Sequence, residues 1–167
     1  MPVPDNQKEL TELFKALGAE DPESWADSQT TEGINQLHRF LFLRQAWQRV
    51  VSENDDAWID EEIAYYKRFP VQPFAGIGKA LKRMEAKGVE REDIVDLVRG
   101  MQVRLLADFC YLLDDPSLDE AGVEDLGWAL VEANDDCELA GTVIGGLHES
   151  VLSTDPTGRE MRPRNKA

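Results

Sequence analysis

Residues 90–113 read EREDIVDLVRGMQVRLLADFCYLL, and this stretch decides the fold class. Ile94, Leu97, Val98, Met101, Leu105, Phe109 and Leu112 recur at spacings of three and four, which places them on one face of an α-helix. No proline interrupts the run. Asp114-Asp115-Pro116 ends it, because the residue before a proline avoids helical backbone. The reading predicts the longest helix of the chain, from about Glu90 to Leu113, with that apolar face turned inward.

Working toward the N-terminus, the same periodicity repeats. Leu10, Leu13, Phe14 and Leu17 mark a helix after Asp5, and Gly18 supplies the left-handed residue that closes it. Asp21-Pro22-Glu23 is a helix start, with proline where a missing N–H costs nothing, and it opens one or two turns carrying Trp25. Thr31 is expected to cap a longer helix that buries Ile34, Leu37, Leu41, Trp47, Val50 and Val51 and stops at Asn54-Asp55. Asp55 begins another, bearing Trp58, Ile59, Ile63, Tyr66 and Phe69. Pro70 and Pro73 impose an extended linker. A basic helix follows from Phe74 to Lys87, with Gly88 at its end.

Beyond Pro116 the periodicity is ambiguous. Trp128–Ala133 and Glu138–Ile144 around the polar Asn134–Cys137 read as a β-hairpin on β-propensity. Val123, Leu126, Leu130 and Ala133 fit a helical face instead, and the turn lacks the glycine of tight hairpins. The hairpin is the preferred reading. After Gly145-Gly146, Leu147–Ser153 forms a short helix, and Asp155-Pro156-Thr157-Gly158 a turn. The expected fold is therefore mainly α: a single-domain bundle of five to six helices, with a small hairpin near residues 128–144 and a short C-terminal helix. The expected domain spans residues 1–158, as a helical body (5–113) and an acidic subregion (114–158), with a basic, flexible tail at 159–167.

Composition narrows the class. The chain has 167 residues, 18 Lys and Arg against 33 Asp and Glu, and a formal net charge of −15. That length suits one domain burying about 70% of its unfolded surface. No segment at the N-terminus reads as a signal peptide and no apolar run is long enough to span a bilayer, so the expectation is a cytoplasmic protein without membrane association. Cys110 and Cys137 lack metal or redox spacing. They are expected to be free thiols, one in a helix core and one in a loop.

The charge is segregated. From Leu105 to Gly158 there are thirteen acids and no Lys or Arg, ten of the acids falling between Asp114 and Glu138. Arg159, Arg162, Arg164 and Lys166 follow at once. A surface of one sign attracts cationic partners and repels phosphate. Direct nucleic-acid binding is therefore disfavoured, and a basic protein is the expected partner. The candidate partner-binding residues are Asp114, Asp115, Asp119, Glu120, Glu124, Asp125, Asp135 and Asp136. Trp25 or Trp128, if exposed, would anchor such an interface.

Motifs for chemistry are weak. Gly76-Ile77-Gly78-Lys79 lacks the first glycine of a phosphate-binding loop, and Ala80 stands where a magnesium-binding hydroxyl belongs. His148-Glu149 lacks the second histidine of a zinc-protease helix, since Leu152 occupies its place. A calcium loop begun at Asp115 would need glycine where Glu120 stands and glutamate where Leu126 stands. Neither a metal nor a cofactor is expected. Lys79, Lys82, Arg83 and Lys87 form a basic helical stripe, suited to an acidic patch of the same chain or of a twofold mate, so a homodimer is one expectation. Two function classes remain. The first is a non-enzymatic acidic binding or regulatory protein, like immunity proteins or nucleic-acid mimics in charge character. The alternative is a small enzyme or ligand-binding domain whose pocket, between the helical body and the C-terminal segment, holds His148, Glu149, Arg159 and Arg162.

Overall fold

The computed structural model describes residues 3–117, 122–123, 126–134 and 136–164. Among these the chain forms α1 (Gln7–Leu17), α2 (Pro22–Glu32), α3 (Gln36–Trp47), α4 (Ala57–Arg68), α5 (Ala75–Glu85) and α6 (Arg91–Asp114). A hairpin of β1 (Val131–Ala133) and β2 (Leu139–Val143) follows, then α7 (Leu147–Ser150) and a 3-10 turn at Leu152–Thr154. The fold is mainly α, with the hairpin and the short C-terminal helix that the sequence predicts. The chain forms two compact units, Met1–Arg49 with Leu105–Ala167, and Val50–Arg104; α6 supplies residues to both.

In the first unit, side-chain caps set the helix ends. Asn6 accepts from the Glu9 N–H at 3.0 Å, Asp21 from that of Ser24 at 3.1 Å, and Gly18 ends α1 at φ 86°. Thr31 does not cap the next helix. It lies in the last turn of α2 and its hydroxyl donates back to the Asp27 carbonyl at 2.7 Å. Gly33, left-handed at φ 69°, stops α2, so α3 starts only at Gln36, and it ends at Trp47 rather than at Asn54-Asp55. Leu10, Phe14, Ala26, Leu37 and Phe40 form the core. Phe14 and Trp25 meet the Phe40 ring edge-on at 5.6 and 5.4 Å. Each such side chain contributes about 1.5–3 kcal/mol by leaving water.

The C-terminal segment packs on α3. Buried Trp47 donates from Nε1 to the Val151 carbonyl at 3.0 Å and to Thr154 Oγ1 at 3.1 Å. In the hairpin, Val131 faces Val143 and Ala133 faces Leu139, with an irregularity between the two pairs. Its turn works without glycine because Asn134 Oδ1 accepts from the backbone of Asp136 (3.0 Å) and Glu138 (2.9 Å). Cys137 takes the left-handed position at φ 61°. Asp155, buried, accepts from the N–H groups of Thr157 (3.0 Å) and Met161 (3.1 Å), which ties the chain after Gly158 back to the turn.

The second unit is built on Ile59, Ile63, Leu81, Ile94 and Val95. Here α4 and α5 approach so closely at Gly78 that a Cβ there would lie 2.0 Å from the Glu62 carbonyl oxygen. The Gly76–Lys79 motif is thus a helix-packing feature. Arg91 fixes the start of α6: its guanidinium reaches both Asp60 oxygens (2.7 and 2.9 Å) and Glu85 (2.6 Å).

One expectation fails. The face of α6 predicted to point inward is largely exposed: Leu97, Met101, Leu105, Phe109 and Leu112 all reach solvent. The buried residues are Ile94, Val95, Arg99 and Val103 in the second unit and Cys110 in the first. Arg99 belongs to this set because its guanidinium donates to the Val51 carbonyl at 2.7 Å. Helical period shows which residues share a face, but not whether anything covers that face.

Candidate functional site

The last three turns of α6 leave an apolar surface unpartnered in the first unit. Leu105, Phe109 and Leu112, at i, i+4 and i+7, are 54%, 56% and 45% exposed. Trp128, also exposed, joins them: its Nε1 donates to the Leu112 carbonyl at 2.6 Å. A helix end leaves its last carbonyls without intrahelical donors, and the indole N–H satisfies one of them. This fixes the Trp128 ring at the end of the row. Exposed Leu126 lies two residues away. Exposed Asp108 and Asp115 flank the row, and no Lys or Arg occurs from Leu105 to Gly158. The surface is therefore apolar at its centre and negative at its edge. Trp25, the other proposed anchor, packs on the core of its unit.

The eight acidic candidates do not act as one group. Asp119, Glu120, Glu124, Asp125 and Asp135 lie outside the described residues. Asp115 and Asp136 are exposed. Asp114 is not: its side chain is only 6% exposed, and Oδ2 accepts from the His148 backbone N–H at 2.8 Å. The same oxygen lies 2.6 Å from His148 Nδ1. Asp114 thus joins the end of α6 to the start of α7, a structural task. Glu132 acts similarly, paired with the Asn35 side chain and 3.3 Å from His38 Nδ1.

Of the pocket candidates, the structure brings His148 to Asp114 and to the Tyr111 ring, 5.2 Å away and edge-on. An imidazole held at Nδ1 by a carboxylate offers Nε2, the arrangement used by general bases. The neighbouring hydroxyl is directed elsewhere: Ser150 Oγ accepts from Arg39 at 3.4 Å. Glu149 is exposed. Arg159 donates to the Arg162 carbonyl, and Arg162 reaches Glu160 at 2.5 Å. A cavity of about 160 Å³ in this unit is lined by Leu17–Glu20, Phe40, Arg44 and Ser153–Pro156, and by none of these four candidates.

Sequence reasoning missed Arg39. Buried, it donates from Nε to the Gly145 carbonyl at 2.7 Å. Burial lowers its pKa from the ordinary arginine value, while the charges of Glu149 and Asp114 act in the opposite direction. A Cβ at Gly146 would lie 2.1 Å from its guanidinium, so the Gly145-Gly146 pair was the available signal. Burial, with a smaller effect of the Asp114 charge, raises the Cys110 thiol to about 11. Among the described residues no group of three His, Cys, Asp or Glu side chains is placed to hold a metal. No helix among them is long and apolar enough to cross a membrane. No protein family, curated protein or solved structure matches this chain.

Proposed function

We propose that this chain is a non-enzymatic binding protein that captures a basic protein partner on the surface formed by Leu105, Phe109, Leu112 and Trp128. The observation that carries this reading is that row of half-exposed large side chains, set in a stretch without cations. Interfaces are anchored by a few aromatic and aliphatic side chains, with charges at the rim that steer association. Here Phe109 and Trp128 are the anchors, and Asp108 and Asp115 the rim. Asp136 adds to the same negative field if the bound partner reaches the hairpin turn.

The test is affinity capture at low salt with the wild-type chain and with Phe109→Asp, each retained protein being identified. Support is a basic protein that wild type holds, that Phe109→Asp loses, and that high salt releases. If what is retained is indifferent to Phe109→Asp and to salt, the reading is wrong.

A further inference from the structure

The second unit carries a surface of opposite character. The α4–α5 connection presents Val71 and Phe74 to solvent at 92% and 78% exposure, with Phe69 and Ile77 partly exposed beside them. Phe74 is held at φ 69°, a left-handed conformation that side chains with a Cβ resist. A strained residue whose aromatic ring points into water gains nothing for its own fold, and such positions concentrate where a surface has a function. Lys67 and Arg68 at the end of α4, Lys79, Lys82 and Arg83 along α5, and Lys87 in the turn after it are all exposed. None of these six has an ion pair among the described residues. Glu61 and Glu62 line the tip cavity with Tyr65, Phe74 and Ile77, so the positive charge lies along α5 and at the C-terminal end of α4.

We propose that this basic apolar tip docks onto the acidic apolar surface of a second copy of the chain. The inference rests on the reading of that surface as a partner site, and it names a competing occupant. Charge complementarity is the argument: Lys79, Lys82 and Arg83 face a stretch whose charged side chains are all acidic. The dimensions also match. Ala75 to Arg83 rises about 12 Å along α5, and Leu105 to Asp114 about 14 Å along α6, at 1.5 Å per residue. Because the two surfaces differ, a single tip–surface contact leaves one tip and one surface unused, which pair either reciprocally in a twofold dimer or with further copies. Self-association would occlude the surface that takes the basic partner.

Sedimentation velocity over a wide concentration range at low salt tests this. Wild type is expected to gain mass with concentration and to lose it in high salt. Phe74→Asp suits the left-handed backbone better than phenylalanine, so it folds, and it should weaken association by about 30-fold or more. Phe109→Asp removes the opposite surface. Each variant alone stays monomeric, while an equimolar mixture yields a species of two protomers and nothing larger, because one intact tip meets one intact surface. A wild-type chain that is monomeric throughout, a mixture that stays monomeric, or association that survives Phe74→Asp overturns the proposal. Capture of a basic protein by Phe74→Asp reports separately on the partner site. That capture would persist if only self-association fails, and would vanish if only the partner reading fails.

Discussion

Gly78→Ala should destabilise the second unit, against the ordinary expectation for glycine in a helix. Propensity alone favours alanine by about 1 kcal/mol. At Gly78, however, the new Cβ would sit 2.0 Å from the Glu62 carbonyl oxygen, 2.6 Å from the Glu62 carbonyl carbon and 2.8 Å from Tyr66 Cβ. Ordinary contact begins near 3.4 Å, so α4 and α5 would have to separate by more than 1 Å. The obstacle is backbone, which cannot rotate away. Overpacking costs about 1–3 kcal/mol and sometimes more. The lost contacts among Ile59, Ile63 and Leu81 would add to that, giving a net loss of about 2 kcal/mol after the propensity gain. Gly100→Ala is the control: Gly100 lies within α6 and nothing stands within 4 Å of its added Cβ, so it should stabilise by about 0.5–1 kcal/mol. Urea unfolding followed by far-UV circular dichroism compares the three chains, and hydrogen exchange of residues 57–68 and 75–85 localises the effect. If Gly78→Ala proves as stable as Gly100→Ala, the close approach of α4 and α5 is wrong.

Arg91 holds the Asp60 carboxyl below the usual carboxylate range, chiefly through their paired hydrogen bonds. This interaction stabilises the fold above the unfolded carboxylate pKa of about 3.9 and is lost as pH falls through the lower folded value. NMR titration should show Asp60 moving back up in Arg91→Gln. Cys137 should react with a thiol reagent at mildly alkaline pH, while Cys110, buried and raised to about 11, reacts only on unfolding. Because the folded thiol binds its proton more tightly than the unfolded one, Cys110 favours the fold less as pH rises from about 8.5 toward its folded value. Asp114→Ala should cost about 1–3 kcal/mol in chemical denaturation, since two donors of His148 lose their acceptor. Exposed Asp115→Ala should change stability by less than about 0.5 kcal/mol.

The helix boundaries were legible where a single residue dictates backbone geometry. Gly18, Asp21-Pro22, Gly88 and Asp155-Pro156-Thr157-Gly158 act where the sequence places them. Gly33 is an equally plain stop, and its left-handed backbone is why Thr31 falls in the last turn of α2 rather than at the start of α3. The hairpin was ambiguous because its turn depends on a side chain, Asn134 Oδ1, rather than on glycine. What periodicity does not carry is coverage. Leu97, Met101, Leu105, Phe109 and Leu112 share a face as expected, but a sequence holds no term for what lies opposite them. Arg39 and Arg99 show the converse: charged residues are buried where carbonyls of Gly145 and Val51 await their donors. The sites of those carbonyls are set by distant chain and leave only the glycine pair as a trace.

The division within the acidic segment bears on how a partner would bind. Asp114, Glu132 and Asp155 are engaged internally, so their charges hold the C-terminal segment on the first unit. Asp108, Asp115, Asp136 and Glu138 remain at the surface. Exposed charges act over a Debye length of about 8–10 Å at physiological ionic strength, which governs encounter more than residence. Phe109 and Trp128 act only at contact. Reversal of Asp108 and Asp115 to lysine should therefore lower the association rate of a captured basic protein and flatten its salt dependence. Phe109→Ala should instead raise the dissociation rate, by about 30-fold for an anchor residue. Surface plasmon resonance at several salt concentrations separates the two rates. A Phe109→Ala effect confined to association, or charge reversals that act only on dissociation, would mean that the apolar row is not the contact and that its exposure has another cause.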